Sequence, residues 1–197
     1  AHHCQQGGAL VWGLDYAPAA LEIARGFQSQ RLGFQLAKAQ RLPFKQASFD
    51  TVFLLDIVEH LHHPELQTTF SEVWRVLRPG GKLIIHTMPN LNYYRYGYPI
   101  YRGVARLGGR RLPRDPRQRW DFPHLHVNEQ TPHDLKLCLQ NNNFKSRVWL
   151  ENLQDFSQES SPVLRALMSG ATRWPIFKGV FCNDILAVAR KPEQIQP

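Results

Sequence analysis

The sequence predicts an α/β fold, doubly wound around a mostly parallel sheet, and three observations predict it. Two apolar runs of strand length, Thr51 to Leu55 and Lys82 to His86, flank a segment where Leu66, Phe70, Val73, Trp74 and Leu77 recur three or four residues apart. That spacing puts them on one helical face. Pro64 stands where this helix opens, and Pro79 with Gly80 and Gly81 where it must close. A strand, a crossover helix and a second buried strand form a βαβ unit, so the two strands run parallel. In such sheets ligands bind beyond the carboxyl ends of the strands. The rule points to Asp56-Ile57-Val58-Glu59-His60 after the first strand and Thr87-Met88-Pro89-Asn90 after the second.

The chain has 197 residues, 43% of them apolar, enough to build one domain with a core over residues 1–197. It has no apolar run of about 18 residues and no apolar stretch of signal-peptide type at its start, so a soluble, cytoplasmic protein is expected. Cys4, Cys138 and Cys182 are too few and too scattered for a disulfide framework, and no paired cysteines suggest zinc. The net charge of +8 is unevenly spread: between Arg102 and Arg119 seven arginines face one acid, Asp115. Such a patch attracts an anionic substrate, phospholipid or nucleic acid, or forms a solvated loop that keeps the protein in solution.

Taken together, FD-x-V-x-x-x-D-x-x-EHL, W-x-V-L-x-PGG-x-L-x-I and TMPN, between Phe49 and Asn90, resemble the second half of a class I S-adenosylmethionine-dependent methyltransferase domain. The type is the bacterial one, methyltransferase type 11/12-like, that acts on small molecules, quinones and sugar precursors. The resemblance implies a Rossmann-like, mostly parallel sheet with an antiparallel C-terminal strand, and S-adenosylmethionine as cofactor. It also implies methyl transfer to the oxygen or nitrogen of a small-molecule or lipid-linked acceptor.

From the start, residues 1–8 read as a helix end closed by glycine, and Val11 to Asp15 as a short strand ending in an acid. Pro18 then opens a helix with Ala20, Leu21, Ile23 and Ala24 on its apolar face. In the family the acid ending this strand binds the adenosyl ribose, and Asp15 matches it, followed by Tyr16. One carboxylate accepts hydrogen bonds from both ribose hydroxyls. The family's preceding strand and its glycine-rich turn have no counterpart here. The missing strand would lie between those ending at Asp15 and Asp56, so an N-terminally incomplete domain is expected, with unpaired edges on both neighbours. A single cofactor touching Asp15 and the turn after Leu55 requires neighbouring ends of one parallel sheet. If those two places lie on opposite rims or on separate sheets, the transferase assignment is expected to fail, whatever the motifs suggest.

Phe34 to Leu36 is a third candidate strand, and Ala37 to Phe44 resembles the family's adenine loop. Lys38 replaces the usual acid and offers no acceptor, which leaves the backbone of Ala39 and Gln40 to reach the ring and Leu42 to pack on its face. Asp56 and Ile57 turn beside the cofactor's reactive end. His60 is a candidate general base, and Glu59 a candidate to position a substrate hydroxyl or a divalent cation. The alternative is that both satisfy backbone groups at a helix start.

Residues 91–122 leave the regular pattern. Tyr93, Tyr94, Tyr96, Tyr98 and Tyr101 alternate with Arg95 and Arg102, and the resemblance implies a lid over the substrate. Tyr93, Tyr94 and Arg102 suit stacking and phosphate pairing, or single-stranded RNA; equally, the tyrosines pack the lid down. From Trp120 the pattern is regular again. His124 and His126 share one side of an extended segment, as base or metal ligands or as loop residues bonded to carbonyls, and no metal site is assigned. Thr131 and Pro132 open a helix with Leu135, Cys138 and Leu139 on its apolar face. Ser146 to Leu150 and Phe181 to Ala189 read as an antiparallel pair of final strands, Val163 to Ser169 as a short helix, Trp174-Pro175 as a turn and Lys191 to Pro197 as a frayed tail.

A second class of function keeps the fold and drops catalysis, the arginine-rich segment binding RNA or an acidic partner. A nicotinamide dehydrogenase is disfavoured because no G-x-G-x-x-G precedes a helix.

Overall fold

The structure is a computed structural model, and it describes residues 1–119, 123–153 and 161–193. In chain order its elements begin with α1 (His2–Gln6), β1 (Val11–Asp15), α2 (Pro18–Arg25), β2 (Leu32–Leu36) and β3 (Phe49–Leu55). Then come a 3₁₀ turn (Val58–His60), α3 (His63–Val76), β4 (Leu77–Thr87), a π-helical turn (Tyr93–Gly97), α4 (Tyr98–Leu107), and two more 3₁₀ turns (Pro116–Arg119 and Pro123–Leu125). The last are α5 (Pro132–Asn141), β5 (Lys145–Glu151), α6 (Pro162–Arg173), α7 (Pro175–Phe181) and β6 (Asp184–Arg190).

The βαβ unit forms as its periodicity predicts. β3 pairs β4 in parallel, Val52 opposite Leu83 and Leu54 opposite Ile85. The predicted face of α3 supplies Leu66, Phe70 and Val73 to the core, with Leu77 beyond its end. The same core takes Leu135 and Leu139 of α5, which lies beside α3, and alternate residues of β6, Ile185, Ala187 and Ala189. α5 starts at the Thr131 cap, whose hydroxyl accepts the Asp134 N–H at 3.1 Å while the Asp134 carboxylate reaches back to the Thr131 N–H. β6 lies antiparallel between β4 and β5, in the order β3-β4-β6-β5.

One expectation needs correction. Asp15 and the turn after Leu55 do not leave a single sheet. β1 and β2 form a separate parallel pair, and among the described residues β1 pairs only with β2 and β3 only with β4. The physical reason is that no described strand pairs with both β1 and β3. The two sheets are instead linked by side chains, since Phe44 lies 5.8 Å from the Trp12 ring and edge-on to Phe49 at 4.7 Å. Within the smaller sheet each aromatic covers a glycine in register, Trp12 over Gly33 and Phe34 over Gly13, where any Cβ would stand 2.7 Å from ring atoms.

Three smaller expectations change. Residues 91–122 are not irregular throughout, because Tyr98, Tyr101 and Ala105 give α4 a buried face against Leu164 and Met168 of α6. Phe181 to Asn183 is not strand: α7 follows the Trp174 turn, and β6 begins at Asp184. Lys191 is not frayed. It is buried, its N–H bonds Gly81, and its ammonium donates to Trp74 at 2.7 Å and Leu77 at 2.9 Å, satisfying carbonyls at the end of α3. The rest of the predicted tail, residues 194–197, and residues 120–122 of the predicted lid and the segment after it lie outside the described residues. No described helix is long and apolar enough to cross a membrane.

Candidate functional site

Each sequence-predicted loop leaves the carboxyl end of a parallel strand. At the end of β1, Asp15 Oδ1 accepts the Ala17 N–H at 2.8 Å, which stiffens the entry to α2. Its second carboxylate oxygen makes no hydrogen bond among the described residues. Tyr16 beside it is exposed. After β2 the chain turns at Ala39 and Gln40, where the Arg41 N–H closes on the Lys38 carbonyl at 3.0 Å. The Ala39 and Gln40 N–H groups have no protein partner among the described residues, so both are donors open to a ligand.

The far end of this loop is clamped by α3. Glu72 accepts the Leu42 N–H at 2.9 Å, and Arg75 donates to the carbonyls of Leu42 at 2.9 Å and Phe44 at 2.7 Å. Glu72 and Arg75 are themselves paired at 2.7 Å, and this partner holds the Glu72 carboxyl below its ordinary range against the opposing effect of burial. The clamp uses both backbone groups of Leu42, whose half-buried side chain packs against the main core and keeps part of its surface exposed.

After β3, Asp56 adopts a left-handed backbone, φ 54°, uncommon away from glycine. Its carboxylate meets the His86 Nδ1 at 2.7 Å, and the His86 Nε2 meets the buried Asp184 at 3.0 Å. Both ring nitrogens face carboxylate oxygens, an arrangement that two donors satisfy and that therefore favours the imidazolium form. Burial pushes the His86 pKa down, but the bond to Asp184 and the charges of Asp56 and Asp184 outweigh it, leaving the group above the ordinary histidine value. Sequence reading missed His86 and Asp184. The one available signal was a histidine at the carboxyl end of an otherwise apolar strand.

The two catalytic candidates separate. Glu59 is 1% exposed and accepts the Thr87 hydroxyl at 2.6 Å, and its backbone carbonyl takes the N–H groups of Val127 and Asn128 at 2.9 and 3.0 Å. Burial raises its pKa, with Thr87 opposing. It fastens the β3 turn to the segment before α5. His60 is exposed, its Nδ1 lies 2.9 Å from the Leu125 carbonyl, and its ring stands 5.0 Å from that of His126. A carbonyl partner requires a proton on Nδ1, so the neutral ring carries its lone pair on Nε2. Burial and then His60 push the His126 pKa down. His124 and His126 do not share an extended segment as expected, because His124 sits exposed in the 3₁₀ turn Pro123–Leu125 and His126 follows that turn.

The aromatic segment packs more than it displays. Tyr94 is buried beneath the Arg117 guanidinium, 5.4 Å from its ring, while Arg117 pairs with Glu129. Tyr93 lies within 6.3 Å of Tyr98, and burial raises its pKa. Arg102 lies on α4, half-buried. The structure thus joins His60 to His126, Glu59 to Thr87 and Asp56 to His86, whereas Asp15 and Asp56 stand on different sheets.

Residues 1–85 match the family model described as a methyltransferase domain. The chain is 37% identical over 84 residues to Methyltransferase GfsG of Streptomyces halstedii, covering 40% of this chain and 29% of that protein. It is 35% identical over 109 residues to Demethylmenaquinone methyltransferase of Thermus thermophilus, covering 52% and 49%. The chain spans less than half the length of these two relatives. A SAM-dependent methyltransferase structure from Methanosarcina mazei superposes with a TM-score of 0.61 at 18% identity, over 93% of this chain and 82% of that one. At that identity the likeness shows the fold.

Proposed function

From a chain with the class I methyltransferase fold, whose residues 1–85 match the methyltransferase domain, we propose S-adenosylmethionine-dependent methyl transfer to the oxygen or nitrogen of a small-molecule or lipid-linked acceptor. One observation carries the reading. The loops at the carboxyl ends of β1, β2 and β3 present an open carboxylate oxygen at Asp15, two open N–H donors at Ala39 and Gln40, and the anchored turn at Asp56 and Ile57. That donor and acceptor set fits the adenosyl part of the cofactor: Asp15, beside Tyr16, toward the ribose, and Ala39, Gln40 and the Leu42 side chain toward the adenine. The placement of Asp15 and Asp56 on separate sheets is the outcome expected to defeat the assignment; the match of residues 1–85, which span both β1 and β3, to one methyltransferase domain supports keeping it, and binding is the first thing to test.

The cofactor supplies a methyl group already activated on a sulfonium, so the protein has chiefly to orient and to exclude water. His60 is the candidate base, because its Nε2 carries the lone pair and it is exposed; its role is to take the acceptor's proton. Glu59 positions that turn through Thr87 and the backbone of Val127 and Asn128 rather than reaching the acceptor. Residues 91–119 are the candidate lid on the acceptor side; with Tyr94 buried beneath Arg117, the candidate contacts that remain are Tyr93 and Arg102 from this segment and His124 and His126 beyond it. A lipid acceptor is in keeping with the Thermus thermophilus relative named for demethylmenaquinone methylation.

Calorimetric titration with S-adenosylhomocysteine tests binding. The reading predicts saturable heat that Asp15→Ala removes, and absence of heat overturns it. If binding holds, radiolabelled methyl transfer to quinol, sterol and amine acceptors identifies the class.

A further inference from the structure

We propose that α4 and the arginines around it dock this chain on an anionic lipid surface. α4 has two apolar faces where a solvated helix needs one. Its inner face, Tyr98, Tyr101 and Ala105, is buried against α6. Its outer face is Ile100, Val104 and Leu107, exposed to 54%, 37% and 91%. Their spacing of four and three residues makes one continuous stripe, and exposed Tyr96 precedes it by a turn. Aliphatic residues on that stripe are left in water at a cost that a buried partner would remove.

The charge around the stripe selects the partner. By helical period Arg102 and Arg106 share the flank between the two faces, and Arg110, Arg111 and Arg114 follow the helix directly. Among the described residues Arg102, Arg106, Arg111 and Arg114 form no ion pair with an acid. An aliphatic stripe flanked by guanidinium groups fits the boundary between acyl chains and anionic headgroups. The field of the leaflet then draws the arginines in, and the stripe holds by burial.

Two other occupants fit less well. Single-stranded RNA needs exposed aromatic faces on which bases stack. Tyr94, Tyr98 and Tyr101 are buried, with the guanidinium of Arg117 over the first and that of Arg119 over the other two. What faces outward is chiefly aliphatic. A second copy of the chain would bring two arginine-flanked stripes together, so that like charges meet across the contact.

The test is flotation of this chain with vesicles of phosphatidylcholine, alone or mixed with phosphatidylglycerol. The chain is expected to float with the mixed vesicles and not with phosphatidylcholine alone. The pair Ile100→Asp and Leu107→Asp, and separately the pair Arg106→Glu and Arg111→Glu, should each lower partitioning by about tenfold or more. The far-ultraviolet circular dichroism should not change, because these side chains lie on the surface. Flotation with neither vesicle, equal flotation of the aspartate pair, or preferential retention of a single-stranded RNA oligonucleotide would overturn the proposal. So would a dimer in ultracentrifugation that Leu107→Asp disperses. No arm uses S-adenosylmethionine, so failure here is distinct from failure of the methyl-transfer reading.

Discussion

Asp184 meets the imidazole of His86 at 3.0 Å from a position 98 residues further along the chain, and so favours the protonated form of a ring whose other nitrogen meets Asp56. The contact joins the start of β6 to the end of β4 and, through Asp56, to the turn after β3. A loop with a left-handed residue at its head is thereby tied to the antiparallel side of the sheet.

Because the folded His86 pKa is raised, its protonation contributes stability that is full below the ordinary histidine value and is lost as pH rises through the folded value. Denaturant unfolding of the wild type should therefore weaken across that window, and His86→Asn should flatten the decline. Asp184→Asn should cost about 1–3 kcal/mol at pH 6, since it weakens the bond of a buried group that also accepts the Leu153 N–H at 3.1 Å. A titration of the ring in NMR spectra at or below the ordinary value would contradict this.

Asp15→Asn keeps an oxygen for the Ala17 N–H but loses the carboxylate. It should weaken S-adenosylhomocysteine binding by about 10- to 100-fold and leave the melting temperature nearly unchanged. Asp15→Ala should lose binding and also about 1 kcal/mol of stability. Calorimetry paired with thermal melts separates the two effects.

Glu72 and Arg75 act on the adenine loop together. Glu72→Gln or Arg75→Leu should each destabilise by about 1–3 kcal/mol, and the double variant by less than the sum, because they share the Leu42 backbone. Strict additivity in the double-mutant cycle would show that they do not work as a unit.

Glu59 carries the opposite pH signature to an ion-paired acid. With its pKa raised by burial, its protonated form stabilises at low pH and that contribution is lost as pH rises through the folded value. Glu59→Gln retains an acceptor for Thr87, so at pH 7 it should be at least as stable as the wild type. A loss above about 2 kcal/mol would mean that the ionised carboxylate is itself required.

Lys191→Met should cost about 1–3 kcal/mol despite its place near the chain's end, because two carbonyls at the end of α3 lose a charged donor. Urea melts would measure it, and a neutral effect would show that water replaces the ammonium.

By itself the sequence determined the elements whose causes are local. The face of α3 and the Thr131 cap follow from neighbours within a few residues. The loops after β1, β2 and β3 were legible for the same reason, since a strand's end is a local event. The expected close of the crossover helix at Pro79, Gly80 and Gly81 does not hold, because α3 ends at Val76 and those residues lie inside β4. Only the tertiary structure decided what long-range contacts decide: that β1 and β3 belong to different sheets, that Lys191 is buried beneath α3, and that Glu59 faces inward while His60 faces out. It alone brought Asp56, His86 and Asp184 together. A carboxylate's partner is set by where the backbone carries it, and a protonation state by that partner. Neither is written in the spacing of residues along the chain.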